Sequence, residues 1–165
     1  MSGRVLQLST SPGGMPKRPV LQTQVTPLGF IGDGHRNMKV HGGPDKAILI
    51  VTMEGIEELK AAGFDLYPGA LGENVTTEGL DRRTVRFGQR YRLGSDVIVE
   101  ITTLRRPCIN LEPYSPYLGH AIYDKQCKAG DATSPLWGLG GFYARISRPG
   151  ALYPGAPVIL LDQDA

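Results

Sequence analysis

The stretch DVIVEITTLRRPCINL, residues 96–111, carries the strongest strand signal in the chain and ends in one of its two cysteines. β-Branched residues dominate positions 97–103, and such residues favour a half-buried strand. Proline has no backbone N–H and a fixed φ, so the strand is predicted to end at about Pro107. Cys108 is therefore predicted to lie on a bend directly after this strand.

Two guanidinium groups, those of Arg105 and Arg106, precede Cys108 in the sequence. Nearby positive charge favours a cysteine thiolate, which is the form that attacks electrophiles and binds metals. Cys108 is thus a candidate metal ligand or nucleophile. A buried structural thiol is the alternative, and it is the commoner role of a lone cysteine.

The composition is that of an ordinary globular protein, with 41% hydrophobic and 21% charged residues. A length of 165 residues predicts one domain over residues 1–165. The net charge is only +2 and the basic residues are scattered, which argues against nucleic acid as a partner. Because the sequence contains neither an apolar leader nor a run that could span a bilayer, we expect a cytoplasmic location without membrane association.

Many short apolar runs alternate with turns formed by the 22 glycines and 13 prolines. Alternation over residues 19–25 predicts one strand, and the continuous apolar run 47–51 predicts a buried strand. Thr52 is predicted to cap a helix that ends at Gly63, and a second helix is predicted from about Pro116. We therefore predict a mainly β (α+β) fold with one or two helices, closed into a barrel that hides the strand edges.

Two polar, glycine-rich segments add little to a core, so each is either an exposed turn or a binding site. The first, residues 32–46, contains His35 and His41, whose spacing matches no strong zinc pattern. The second contains Glu73 and Asn74 between a glycine and a β-branched residue. For this pair, an edge strand with outward-facing polar groups is the alternative to a binding role.

Five segments together resemble the MOSC domain family, named after the C-terminal domain of molybdenum cofactor sulfurase. They are SPGGMPK (11–17), GD with HGGPDKA (32–47), GALGENV (69–75), RPC with NL (106–111) and GGFYAR (140–145). They occur in the family's order and span nearly the whole chain. The resemblance implies a MOSC-type β-barrel, a small stand-alone member, and the molybdenum cofactor, a pterin (molybdopterin) whose dithiolene holds the metal.

The resemblance also implies roles for individual residues. Cys108 would ligate molybdenum, since a soft thiolate suits a soft, sulfur-rich metal site. Glu73 and Asn74 would hydrogen-bond the pterin, and Asn110 is a further predicted cofactor contact. The basic side chains that would pair with the phosphate or the pterin are Lys17, Arg36, Lys46, Arg105 and Arg106.

Three function classes follow, of which the first is favoured. It is a molybdenum-dependent oxidoreductase that reduces N-hydroxylated compounds at Cys108, with His41 and Asp45 supplying the proton when N–OH leaves as water. Its electrons would come from a separate donor protein, because the chain carries no recognisable flavin, haem or iron–sulfur motif. The second class is a non-redox cofactor carrier or sulfur-transfer protein, and the third is a barrel that binds no cofactor and acts as an interaction module.

Overall fold

The computed structural model describes residues 2–34 and 43–161. Its strands are β1 (Ser2–Thr10), β2 (Arg18–Val20), β3 (Thr23–Thr26), β4 (Gly29–Phe30), β5 (Ile48–Thr52), β6 (Val75–Glu78), β7 (Arg90–Leu93), β8 (Val97–Leu104), β9 (Phe142–Arg148), β10 (Gly150–Leu152) and β11 (Pro157–Leu160). Its helices are α1 (Met53–Ala61), α2 (Leu118–Ile122) and α3 (Lys125–Lys128), with short 3₁₀ helices η1 (Pro44–Lys46), η2 (Arg82–Thr84) and η3 (Ile109–Leu111). None of the helices in these ranges is long and apolar enough to cross a bilayer.

Seven strands close into a barrel in the hydrogen-bonded order β11-β7-β8-β9-β5-β6-β1, with β1 paired back onto β11. Neighbouring strands are antiparallel except β5 and β6, which are parallel and are connected through α1. β2 extends the sheet beyond β1, and β10, β3 and β4 form a separate three-stranded sheet. The predicted mainly β barrel with few helices is confirmed.

β5 is buried on both of its faces, which explains its continuous apolar sequence. Ile48 and Ile50 belong to the core inside the barrel, whereas Leu49 and Val51 belong to a second apolar cluster outside it. That outer cluster also contains Ile56 of α1 and residues of η3 and α2. The strand therefore forms a wall between the barrel interior and the helices that cover one side.

The single strand predicted over residues 19–25 is two strands that belong to different sheets. β2 ends at Val20 and pairs with β1, whereas β3 begins at Thr23 and pairs with β4 and β10. Leu21, between the two strands, is 89% exposed. Local alternation is retained across the break, so the pattern did not reveal that the chain changes sheets.

The helix cap predicted at Thr52 is confirmed. Thr52 has an extended backbone, and its side-chain oxygen accepts a hydrogen bond from the N–H of Gly55 at 3.1 Å. The helix buries Ile56 and Leu59 and is followed by Gly63 at φ +101°, a conformation that glycine adopts without strain. The cap thus begins the crossover that carries the chain from β5 to β6.

We predict that Thr52→Val lowers the free energy of unfolding by about 1 kcal/mol, because valine keeps the shape of threonine but cannot accept the capping hydrogen bond. Urea denaturation at equilibrium measures this change. Thr77 is the matched control, since it faces Thr52 in the β5–β6 register and its buried hydroxyl has no hydrogen-bond partner among the described residues. Thr77→Val should be neutral or stabilising, and an equal loss in both variants would contradict the role of the cap.

Candidate active site

Cys108 lies on the bend that follows β8, as predicted from Pro107. β8 ends at Leu104, and the next N–H, that of Arg105, donates to the carbonyl oxygen of Gly141 at 2.9 Å. Cys108 has an extended backbone and directly precedes η3. Its side chain is half-buried, so the sulfur lies at the edge of the outer apolar cluster.

An open cavity lies against this bend. Six of the predicted site residues contribute to its wall, namely Lys17, Lys46, Asn74, Arg105, Cys108 and Asn110. The apolar and aromatic side chains that also line it are those of Met15, Leu49, Leu71 and Tyr143. No acidic residue of the described ranges lines the cavity, so the charged groups on its wall are cations.

Arg105 places positive charge directly behind the cysteine sulfur. Its guanidinium is 3% exposed, and Nη2 donates to Cys108 Sγ at 3.9 Å and to Met15 Sδ at 3.5 Å. Its Nε and Nη1 atoms are buried and have no hydrogen-bond partner among the described residues. A guanidinium in this position favours a charged sulfur over a neutral one.

A buried ion pair fixes a second cation at the cavity wall. Lys17 Nζ lies 2.5 Å from Asp33 Oδ2, and the two side chains are 7% and 3% exposed. The same Asp33 carboxylate accepts hydrogen bonds from Asn74 Nδ2 at 2.8 Å and from the N–H of Ser11 at 3.0 Å. Asn74 lines the cavity, but its amide group is already hydrogen-bonded to another segment of the chain.

The loop over residues 11–17 closely approaches the segment before β6. The N–H of Lys17 donates to the carbonyl oxygen of Gly69 at 2.9 Å. Gly72 has φ +85°, and a Cβ built there would lie 2.9 Å from Cγ of Met15. A side chain at position 72 would thus push Met15 away from Arg105. This steric conflict explains why the GALGENV segment has a glycine at position 72.

Lys46 and Tyr143 also line the cavity and contact each other. The Lys46 ammonium lies 5.3 Å from the centroid of the Tyr143 ring, within the range of a cation–π interaction. Burial raises the pKa of Tyr143 above its ordinary value of 10, against the opposing charge of Arg105. The phenol thus remains protonated and neutral at physiological pH.

Glu73 lies beneath the cavity and is not part of its wall. Its side chain is fully buried, and Oε2 accepts a hydrogen bond from Thr76 Oγ1 at 3.3 Å. Burial raises its pKa above the ordinary 4.5, while the backbone of Glu73 and Gly69 and, to a smaller extent, the charge of Arg105 oppose that rise. The alternative of an outward-facing edge strand is therefore wrong for Glu73, and its direct contact with a pterin stays a prediction.

Other predicted site residues lie away from the cavity or outside the described residues. Asp45 does not line the cavity, and its exposed carboxylate pairs with Arg145 at 2.8 Å. This geometry does not support its predicted role as a proton donor, because Arg145 holds the carboxylate at the surface. Arg106 is exposed and is not among the lining residues. His41 and Arg36 lie outside the described residues.

Sequence reasoning missed Met15, Asp33 and Tyr143 as site residues. Each lies in a segment that carries the family resemblance. The apolar character of Met15 and the aromatic character of Tyr143 did not by themselves indicate that these residues line a cavity. The pairing of Asp33 with Lys17 depends on where the fold brings two glycine-rich loops together. Asp33 could have been found by asking, for each predicted cation, which acidic residue could serve as its buried counter-ion.

Cys127 differs from Cys108 in every respect that bears on reactivity. It is buried, and its sulfur donates to Ser134 Oγ at 3.5 Å. Burial raises the pKa of the Cys127 thiol above its ordinary value of 9. This agrees with the predicted structural role and makes Cys127 a matched control for Cys108.

The fold and this site define a β-barrel protein with a half-buried cysteine on the wall of a cation-lined cavity. The protein-family model for the MOSC domain matches residues 37–159. The chain therefore belongs to the MOSC domain family. MOSC domains are associated with the molybdenum cofactor, which relates this chain to molybdenum-cofactor chemistry. In the described ranges, no three His, Cys, Asp or Glu side chains cluster to hold a metal ion by themselves.

The proteins similar to this chain include two curated proteins and one solved structure. YflK of Bacillus subtilis strain 168 is 31% identical over 137 residues, 81% of this chain and 56% of YflK. A protein named reductase from Gibberella moniliformis is 28% identical over 139 residues, 82% of this chain but 23% of that protein. The crystal structure of YiiM from Geobacillus stearothermophilus superposes with a TM-score of 0.71 at 27% identity, covering 97% of this chain and 75% of YiiM.

We predict that Lys17→Met lowers the free energy of unfolding by about 3 kcal/mol, because it leaves the buried Asp33 carboxylate without its cation. Lys60→Met is the control, since Lys60 forms an exposed ion pair with Glu57 at 3.8 Å. That variant should change stability by less than about 0.5 kcal/mol. Urea denaturation of the two variants measures both changes. Equal losses of unfolding free energy in the two variants would contradict a buried, stabilising Lys17–Asp33 pair.

We also predict that the stability difference between Glu73→Gln and the wild type depends on pH. The pKa of Glu73 is raised in the folded state, so the folded protein holds this proton more tightly than the unfolded chain does. The wild type should therefore lose stability relative to the glutamine variant as pH rises from about 4.5 through the folded-state pKa. Denaturant midpoints measured across this range test it, and a wild type that gains stability relative to the glutamine variant as pH rises would contradict the raised pKa.

Proposed function

We propose that the chain binds the molybdenum cofactor in the cavity beside Cys108 and reduces N-hydroxylated compounds there. The observation that carries this proposal is the position of the Cys108 sulfur, on a cation-lined wall and within hydrogen-bonding reach of Arg105. Membership of the MOSC family and the similarity to a protein named reductase support it. Because the chain spans 56% of YflK and 23% of that reductase, the activity of the whole protein is part of the proposal.

The residues present fit the chemistry of this cofactor. A cysteine thiolate is a soft ligand suited to a sulfur-rich metal site, and Cys108 is half-buried where such a metal would meet the cavity. Lys17, Lys46 and Arg105 line the same wall and suit a ligand that carries a phosphate. The apolar surface of Leu49 and Leu71 suits the flat rings of a pterin.

The reaction consumes two electrons and two protons, and it converts an N–OH group into N–H with release of one water. When bound, the cofactor supplies the two-electron chemistry. Cys108 would hold the metal, with the guanidinium of Arg105 beside its sulfur. Tyr143 and Lys46 border the space left for substrate. His41 remains the predicted proton donor, because histidine titrates near neutral pH. A separate donor protein supplies the electrons.

We predict that protein produced in a host that makes the cofactor contains about one molybdenum per chain, and that Cys108→Ala loses most of it because the thiolate ligand is gone. Cys127→Ala is the matched control and should retain the metal, since Cys127 is buried and bonded to Ser134. Elemental analysis of the three proteins measures this. Absence of molybdenum from the wild type would contradict both the reductase and the carrier functions.

The activity of the molybdenum-loaded protein distinguishes the reductase function from the carrier function. With a chemical electron donor, the wild type should convert an amidoxime or an N-hydroxylated base into the reduced product, and Cys108→Ala should not. Molybdenum without any such reduction would favour a non-redox carrier or a sulfur-transfer protein instead.

A further inference from the structure

The guanidinium of Arg105 is a buried cation on the cavity wall whose hydrogen-bonding capacity is not filled. The side chain is 3% exposed, and its Nε and Nη1 atoms have no hydrogen-bond partner among the described residues. Its Nη2 donates to the sulfur atoms of Met15 and Cys108, at 3.5 and 3.9 Å, and sulfur is a weak acceptor. Because an unpaired buried charge is costly, an anion in the cavity beside Arg105 would be stabilised.

The cavity wall carries positive charge without a carboxylate. The Lys46 ammonium lies on this wall beside the ring of Tyr143. None of the acidic residues in the described ranges lines the cavity, and residues 35–42, outside those ranges, include no aspartate or glutamate. A cleft lined by one sign of charge concentrates ligands of the opposite sign. The cavity therefore favours anionic molecules over cationic ones.

The Cys108 sulfur is a nucleophilic atom on the same wall. Its side chain is half-buried and lines the cavity, and the adjacent guanidinium favours the thiolate. Cys127, the other of the two cysteines, belongs to the core inside the barrel, whereas Cys108 packs against the outer apolar cluster. A disulfide at Cys108 therefore requires a thiol from another molecule.

We propose that Cys108 of the cofactor-free protein is a modification site, which forms a mixed disulfide with a small thiol that carries carboxylates. Arg105 and Lys46 bind those carboxylates. The Cys108 thiolate attacks one sulfur of the symmetrical disulfide of that thiol, and the new sulfur–sulfur bond forms as the old one breaks. The other half leaves with the electron pair and takes a proton from water, so Cys108 is oxidised while that half is reduced.

This modification goes beyond the proposed function, because it concerns the chain before any cofactor is bound. A sulfur in a mixed disulfide is no longer a thiolate and does not hold a metal. It is also protected from irreversible oxidation to the sulfinic and sulfonic acids. A reducing thiol reverses the exchange, so the cap preserves Cys108 until it is removed.

The first experiment uses oxidised glutathione, a disulfide with net negative charge, as the probe. Intact-mass spectrometry of the cofactor-free protein should show one glutathione per chain, and a reducing thiol should remove it. Cys127→Ala should be modified like the wild type, because Cys127 is buried and bonded to Ser134. No adduct on the wild type, or an adduct that persists in Cys108→Ala, would overturn the proposal.

The second experiment asks whether the cavity selects the charge of the disulfide. Rates of Cys108 modification are measured with oxidised glutathione and with cationic cystamine, and each is divided by its rate with mercaptoethanol, a neutral thiol in water. At low salt, the corrected rate of the anionic disulfide should exceed that of the cationic one by about tenfold or more. A corrected ratio of one or less in the wild type would contradict selection by the cavity.

Substitutions then assign the selectivity to the cavity cations. Arg105→Met and Lys46→Met should each lower the corrected ratio about threefold or more, and Lys46→Met suffices if Arg105→Met does not fold. Lys60→Met removes the same charge from the exposed surface of α1, where Lys60 pairs with Glu57, and should leave the ratio unchanged. An equal fall in Lys60→Met and Lys46→Met would mean that net charge, and not the cavity, decides the rate. Both experiments use protein without cofactor, so their outcome does not depend on whether the chain binds molybdenum.

Discussion

The side chain of Asn74 is the constraint on which the cavity depends. Its Oδ1 accepts from the N–H of Leu49, and its Nδ2 donates to the carbonyl oxygen of Ser9 and to Asp33 Oδ2. The backbone of Asn74 bonds to the same two neighbours, Ser9 and Leu49, at 2.8 and 2.9 Å. One buried amide thus joins the end of β1, the beginning of β5 and the loop that carries Asp33. Because buried polar groups are costly when unpaired, these three segments can approach only in the arrangement that satisfies them all.

The hydrogen bonds of Asn74 also determine the positions of the charged groups in the site. Asp33 is fixed by Asn74 and Ser11, and it fixes Lys17 at the cavity wall. The loop that carries Lys17 also carries Met15, which receives a hydrogen bond from Arg105. Lys17 and Arg105 are therefore not flexible surface groups that a ligand must order. Their ordering cost is met during folding, and preorganised charge of this kind is what binds an anionic group most effectively.

Local features of the sequence predicted much of the fold. The β-branched run before Pro107, the apolar run of β5 and the cap at Thr52 each depend on neighbouring residues, and all three are present. The change of sheet after Val20 was not predictable, because the alternating pattern continues across it. The residues alone predicted many short strands closed into a barrel and a reactive thiol at Cys108. The resemblance to a known family supplied the type of barrel and the cofactor that the thiol would bind.

The site itself was only partly predictable, for a different physical reason. Lys17, Lys46, Asn74, Cys108 and Asn110 do line one cavity, but the sequence could not say which of their atoms are already engaged. Asp45 illustrates the limit. Its residue type suits proton transfer, yet Arg145, 100 positions later, binds its carboxylate at the surface. Partners so distant in the chain are decided by the barrel's strand order and not by any local pattern.

The two-faced burial of β5 has a consequence for mutational scans of this protein. A substitution at any of residues 48–51 changes the packing either inside the barrel or in the outer apolar cluster. Because the contacts on the other side fix the backbone, neither side can relax freely. Protein interiors are close-packed and transmit such strain. Intolerance to substitution along β5 will therefore report packing on two sides of one wall. At Ile48, Ile50 and Val51, which do not line the cavity beside Cys108, it should not be interpreted as evidence of a part in the chemistry there.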